Sequence, residues 1–253
     1  MSRQTIIQAE HLKTSFGKGD SCQTIYRNLN LSIYKGDFTV IMGASGAGKS
    51  TLMYSLSGMD RPDSGSICIC GTDITTLKED SLAVFRRKHC GFVFQQIYLI
   101  EKMNLMDNVM TAGVLTRRNR AEIRRDAEKL FAEVNISMET WKKTSSQISG
   151  GEAQRAGIVR AVINNPSVLF ADEPTGALNS ANSKAVLDVF SSLHQKGQTI
   201  VMVTHDKKSA LRGNRILYIR DGEISGQCDL GAYDPEDPER TGKFEAFLTE
   251  MGW

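Results

Sequence analysis

The chain lacks any apolar run approaching the roughly 18 residues that a membrane-spanning helix requires. Its first ten residues, MSRQTIIQAE, also lack the long apolar core of a signal peptide. Both absences predict a soluble, cytoplasmic protein that reaches a membrane only through a partner. Strong charge of either sign is missing too: 31 Lys and Arg face 29 Asp and Glu, a formal net charge of +2. That is far from the basic excess of a protein that grips nucleic acid along its surface, so no nucleic-acid partner is expected. Cysteine is scarce. Cys22, Cys68, Cys70, Cys90 and Cys228 are odd in number and show no Cys-x-x-Cys spacing, which leaves no metal site readable. They are expected to be buried, reduced thiols, with Cys68 and Cys70 on one face of a strand over SICIC. There is no internal repeat and no low-complexity tract.

What is present is the composition of a folded α/β domain, 253 residues with 40% hydrophobic and 24% charged. Strand patterns run over TIIQAE, over residues 25–34 and over Phe38 to Met42, and a helix over 49–57 stops at Gly58. A turn at Pro62, Asp63 and Gly65 leads into SICIC. Ile123, Ala127, Leu130, Phe131 and Val134 form a helical stripe between Asn119 and Val134, and Ile148 to Val162 is helical after a loop. Residues 97–163 therefore read as a mainly helical insertion. Alternation then resumes: SVLFAD as a strand, Ala181 to His194 as a helix, TIVMVTH as a buried strand, which argues for a parallel sheet. ILYIRDGEI reads as a hairpin closed by Asp221 and Gly222, and the polar tail 231–253 holds a short helix around Phe244 to Leu248.

The segment Gly43-Ala44-Ser45-Gly46-Ala47-Gly48-Lys49-Ser50, followed by Thr51, fits the phosphate loop G-x-x-x-x-G-K-[ST] and lies between a buried strand and a helix, the context that loop requires. Glycines let the backbone wrap a phosphate with N–H groups, Lys49 neutralises the β and γ phosphates of ATP, and Ser50 holds Mg²⁺. Further on, Val168-Leu-Phe-Ala-Asp172-Glu173 delivers two carboxylates at a strand's C-terminal end, where open α/β sheets bind ligands. Asp172 suits the Mg²⁺ ligand set and Glu173 the general base for the attacking water.

A third segment separates this chain from other phosphate-loop enzymes. Ile148-Ser149-Gly150-Gly151-Glu152, followed by Ala-Gln-Arg155, resembles the Leu-Ser-Gly-Gly-Gln signature of ABC transporter ATP-binding subunits and stands shortly before the Asp-Glu pair as in that family. The resemblance, over residues 3–227, implies an α/β fold: a phosphate-loop core with a mainly parallel sheet, an N-terminal antiparallel β subdomain and an inserted α-helical subdomain, together residues 1–230, with 231–253 as a tail. It implies that Ser149, Gly150, Gly151 and Glu152 face ATP bound by a second copy, in a nucleotide-dependent dimer. It also implies that Gln95 contacts Mg²⁺ and the attacking water, that His205 contacts the γ-phosphate, and that Phe16 stacks on adenine, with Tyr26 a weaker candidate; the lesser alternative for Phe16, in Thr-Ser-Phe-Gly-Lys, is a core residue.

Gly91-Phe-Val-Phe-Gln95, Ala171 to Leu178 and Val203-Thr-His-Asp206 are similar to the bacterial group of macrolide exporters, lipoprotein-release ATPases, the cell-division ATPase and bacitracin-type peptide-resistance transporters. That implies an ATPase driving a membrane permease with a large extracytoplasmic domain, held at the cytoplasmic face of the cell membrane; the alternative is a non-transport ABC ATPase that signals or regulates cell-envelope enzymes through its permease. Two residues depart from the family pattern: Glu152 for glutamine and Asn179 for aspartate. The basic run Arg117, Arg118, Arg120, Arg124 and Arg125 is read as a solvated helix face, with contact to anionic lipid as the alternative.

Overall fold

A computed structural model describes residues 3–17 and 23–253; Cys22 lies outside the described residues. The chain forms two compact units, one from Met1–Ala83 with Gly197–Trp253 and one from Val84–Lys196.

The first unit opens with two long strands, β1 (Thr5–Phe16) and β2 (Gln23–Tyr34), paired antiparallel through Ile7↔Ile33 and Ala9↔Leu31. Ile7 and Ala9 are buried at the period of two that a half-buried strand demands, and the buried set then jumps to Leu12 and Thr14. The jump coincides with a register shift at His11, whose φ of 52° lies in the left-handed region, as a bulge requires. After β3 (Phe38–Met42), buried at every position, come α1 (Lys49–Leu56), β4 (Ser64–Ile69) and β5 (Thr72–Asp73), and the antiparallel sheet runs β2-β1-β4-β5.

This hairpin corrects the expectation for two cysteines. Ile69 pairs with Thr72, so Cys70 and Gly71 are the two turn residues, with φ of 51° and 79°. Two left-handed residues in succession make the turn whose twist matches its strands. Cys70 is thus exposed in the turn, and Cys68 is half-buried on the side opposite the buried Ile67 and Ile69. Cys90 and Cys228 are buried, and all four described cysteines are free. α2 (Glu79–His89) buries only Leu82, too thin a stripe for periodicity to reveal, and the sequence reading leaves it unassigned.

The second unit holds β6 (Cys90–Phe94), α3 (Leu105–Gly113), α4 (Arg120–Glu133), α5 (Met138–Trp141), α6 (Gly150–Val162), β7 (Val168–Asp172) and α7 (Ser180–Gln195). β6 and β7 are parallel. α4 starts where Asn119 accepts the N–H groups of Ala121 and Glu122, and it buries Ile123, Ala127 and Phe131, the last against Trp141 with ring centroids 5.5 Å apart. In the basic run Arg117 departs from the solvated reading: its guanidinium pairs with Asp126 at 2.5 Å and donates to the Ile163 carbonyl at 2.9 Å. Arg124 pairs with Glu128 one turn on.

The chain returns to the first unit with β8 (Thr199–Val203), α8 (Lys207–Ala210), β9 (Arg215–Arg220), β10 (Glu223–Asp229) and α9 (Pro238–Glu250). β3 lies between β8 and β9, parallel to both, and the β9–β10 hairpin turns on Asp221 and Gly222 as expected. The tail's helix is longer than the expected 244–248, because Asp237 caps it and Pro238 starts it, with Phe244, Phe247 and Leu248 buried. Arg240, 4% exposed, donates to the carbonyls of Leu211, Gly213, Leu230 and Ala232, which offsets the cost of burying its charge.

Candidate nucleotide site

In the first unit the loop after β3 follows a path open only to glycine at two points. A Cβ on Gly43 would lie 2.3 Å from the Ile219 carbonyl oxygen, and one on Gly48, at φ 87°, would lie 2.4 Å from Ile25 Cγ2. The second of these glycines is the residue before α1, and no side chain caps that helix. The positive end of the helix dipole therefore faces the loop. Lys49 folds back and donates from Nζ to the carbonyls of Gly43 and Ala44, both at 2.8 Å, which places its cation on the loop itself. Ala44, Ser45 and Gly46 are exposed, Ala47, Ser50 and Thr51 half-buried. An open cleft of about 330 Å³ runs along Ala44 to Ala47 and is bounded by Thr24, Ile25 and Arg220, a cation that motif reading did not single out.

The pairing of Ile41 with Val203 brings β8 to the same end as this loop, so His205, two residues past Val203, emerges there exposed. Asp206 behind it caps α8, accepting from Ser209 N and Oγ at 2.7 Å. Phe16 ends β1 and is 51% exposed. Tyr26 is corrected to a core residue: it is 2% exposed and its hydroxyl meets Ser55 Oγ of α1 at 2.7 Å, with burial pushing its pKa up.

In the second unit the parallel register pairs Phe94 with Asp172, so Gln95 and Glu173 each stand one residue beyond their strand ends. Glu173 has φ of 45°, a conformation that costs a non-glycine residue energy and clusters at functional sites. The Gln95 amide lies close to Gly176, where a Cβ would come within 2.9 Å of Nε2.

The signature segment forms the start of α6. Ser149 caps it: its Oγ accepts from Glu152 N at 3.2 Å, while Glu152 Oε2 accepts from Ser149 N and from Ser149 Oγ, both at 2.8 Å. This is a complete reciprocal capping box. Backbone and hydroxyl hydrogen bonds from Ser149 hold the Glu152 carboxyl below its usual range, with Arg155 and Lys143 adding in the same sense. Gly151 is required by its neighbour, since a Cβ would lie 2.5 Å from Asn182 Oδ1 of α7. Asn179 is the cap of α7, accepting from Asn182 N at 3.0 Å.

Two residues of α6 that sequence reading passed over reach the segment around Gln95. Gln154, 1% exposed, donates to the Phe94 carbonyl at 3.0 Å, and Arg160 donates to those of Ile97 and Tyr98 at 2.7 and 2.5 Å. Their only signal in sequence was polarity on a helix otherwise rich in buried positions. Within the first unit, then, the phosphate loop and His205 share one end of the sheet; within the second, Gln95, Asp172 and Glu173 share the ends of β6 and β7, and Ser149 to Glu152 stand at the start of α6.

The family described as ABC transporter matches residues 26–176. An uncharacterised ABC transporter ATP-binding protein of Methanocaldococcus jannaschii is 39% identical over 219 residues, covering 87% of this chain and 97% of the relative. The macrolide export ATP-binding/permease protein MacB of Neisseria meningitidis is 40% identical over 220 residues, again 87% of this chain, which spans 34% of that longer relative. Among solved structures, the dimeric ABC transporter cassette MJ0796 superposes with a TM-score of 0.82 at 33% identity over 90% of this chain and all of that one. A second structure of the same cassette, dimeric and in a post-hydrolysis state bound to ADP and Pi, gives 0.80 at 32%.

Proposed function

Because the chain belongs to the ABC transporter family, as its ATP-binding and ATP-hydrolysing subunit, we propose that it powers a membrane permease of the macrolide, lipoprotein or peptide-resistance export group. The observation that carries the reading is the phosphate loop: a glycine-only backbone path, an uncapped helix start and a lysine cation on the loop. Gly43 to Thr51 would hold the phosphates of ATP, and Phe16 would meet adenine. The oxygen donors Ser50, Asp172 and Gln95 suit a hard cation, so they would hold Mg²⁺. Mg²⁺ would draw charge from the phosphates. Glu173 takes the proton of the attacking water, and His205 donates toward the γ-phosphate as charge develops there.

Ser149 to Glu152 would complete the site of a second copy, which accounts for a dimer; that MJ0796 was solved as a dimer supports this. No helix among the described residues is long and apolar enough to cross a membrane. The chain would then sit at the cytoplasmic face through a permease, which in the MacB relative lies in the same polypeptide. The test is Glu173→Gln, which keeps size and ATP binding. Loss of a general base lowers turnover by roughly 10² to 10⁴, and an ATP-bound dimer accumulates on size-exclusion chromatography with Mg-ATP. Parental turnover in this variant sinks the assignment of Glu173.

A further inference from the structure

The Ser149 hydroxyl carries one proton, and that proton points at its own helix's carboxylate rather than outward. Ser149 Oγ donates to Glu152 Oε2 at 2.8 Å while accepting from Glu152 N at 3.2 Å, and the same Oε2 also takes the Ser149 N–H at 2.8 Å. Both of the donors through which Ser149 would greet an incoming phosphate are already engaged by a negative charge. The two hydrogen bonds from Ser149 favour the ionised carboxylate, and the cations Arg155 and Lys143 add in the same sense.

We propose that Glu152 is a positioning residue that acts as a brake on dimer closure, withholding the Ser149 hydroxyl proton from the γ-phosphate of the nucleotide held by the second copy. This rests on the reading that Ser149 completes a partner's site. On closure the hydroxyl exchanges one anionic acceptor for another: the Oγ–H···Oε2 bond breaks and an Oγ–H···O–P bond forms, leaving Glu152 facing the phosphate with one fewer donor. Glutamine at 152 would keep the reciprocal box, because its Oε1 accepts the same two bonds. It would hold the hydroxyl less tightly, since a neutral acceptor binds a proton about half as strongly as a charged one.

The experiment uses the full chain carrying Glu173→Gln, so that ATP-bound dimers persist, and follows dimer fraction by light scattering against Mg-ATP concentration. Adding Glu152→Gln should lower the half-maximal Mg-ATP concentration by about tenfold, with the thermal midpoint and the nucleotide affinity of the monomer unchanged. Adding Ser149→Ala should weaken dimerisation, and Glu152→Gln should then bring no recovery, because its effect runs through the hydroxyl. An unchanged or raised midpoint concentration for Glu152→Gln overturns the brake. Recovery of dimers by Glu152→Gln in the Ser149→Ala background overturns it as well, because the charge would then act on the phosphate without the serine. If the Glu173→Gln chain forms no dimer at any Mg-ATP concentration, the shared-site reading itself falls and takes this inference with it.

Discussion

The chain has two glycine-rich helix starts, and they are built in opposite ways. At α1 the cap is Gly48, which has no side chain to cap the helix, and the Lys49 cation lies on the loop carbonyls of Gly43 and Ala44. At α6 the cap is Ser149, and the Glu152 carboxylate accepts the Ser149 N–H and hydroxyl. Both carry the positive end of a helix dipole. The first leaves its helix start to the loop and the Lys49 cation, whereas the second is satisfied by its own Ser149 and Glu152. Glycine thus means different things in the two places: Gly48 supplies a left-handed backbone, and Gly151 makes room for Asn182.

The contrast is tested most sharply at its first member. Lys49→Ala removes the cation that an anion at α1 would meet, and a charged hydrogen bond of about 1.5–3 kcal/mol translates into a loss of ATP affinity of roughly ten- to a hundredfold by titration calorimetry, with thermal stability nearly unchanged. An affinity within a factor of two of the parent would mean that the loop is not the anion site.

At the second member the effect falls on stability. Gly151→Ala forces a methyl group against Asn182 Oδ1, and overpacking of this kind costs about 1–3 kcal/mol, read by denaturant unfolding. Asn182→Ala in the same chain should recover most of it. If the double variant is no better than the single one, the requirement for glycine lies elsewhere.

The smallest effect is expected at Asn179. Asn and Asp are equally good caps, so Asn179→Asp should shift stability by less than about 0.5 kcal/mol, because the side chain's work within the described residues is to accept the Asn182 N–H. A larger shift would show that the missing charge matters beyond the cap of α7.

The phosphate loop, the Asp172–Glu173 pair and the strands and helices around them were legible because their signals are local: G-x-x-x-x-G-K-S is a backbone path written in consecutive residues, and periods of two and 3.6 report which face is buried. The capping box was also present as Ser149-x-x-Glu152 ahead of a helix, yet a segment read for its ligand was not read for its own hydrogen bonds. Tyr26 failed for a different reason. An aromatic ring near a nucleotide site and an aromatic ring in the core have the same local sequence, and only the contact with Ser55, 29 residues away, separates them.

By itself, then, the sequence determined most of the order of elements and the glycine-only loop, since each depends on spacing along the chain. The tertiary structure alone decided that Cys70 is a turn residue, that Arg240 ties the C-terminal helix to four carbonyls and that Gln154 holds the Phe94 carbonyl 60 residues away. Those facts join residues distant in sequence, and the need to satisfy a buried donor or fill a buried volume is set by what folding brings beside it.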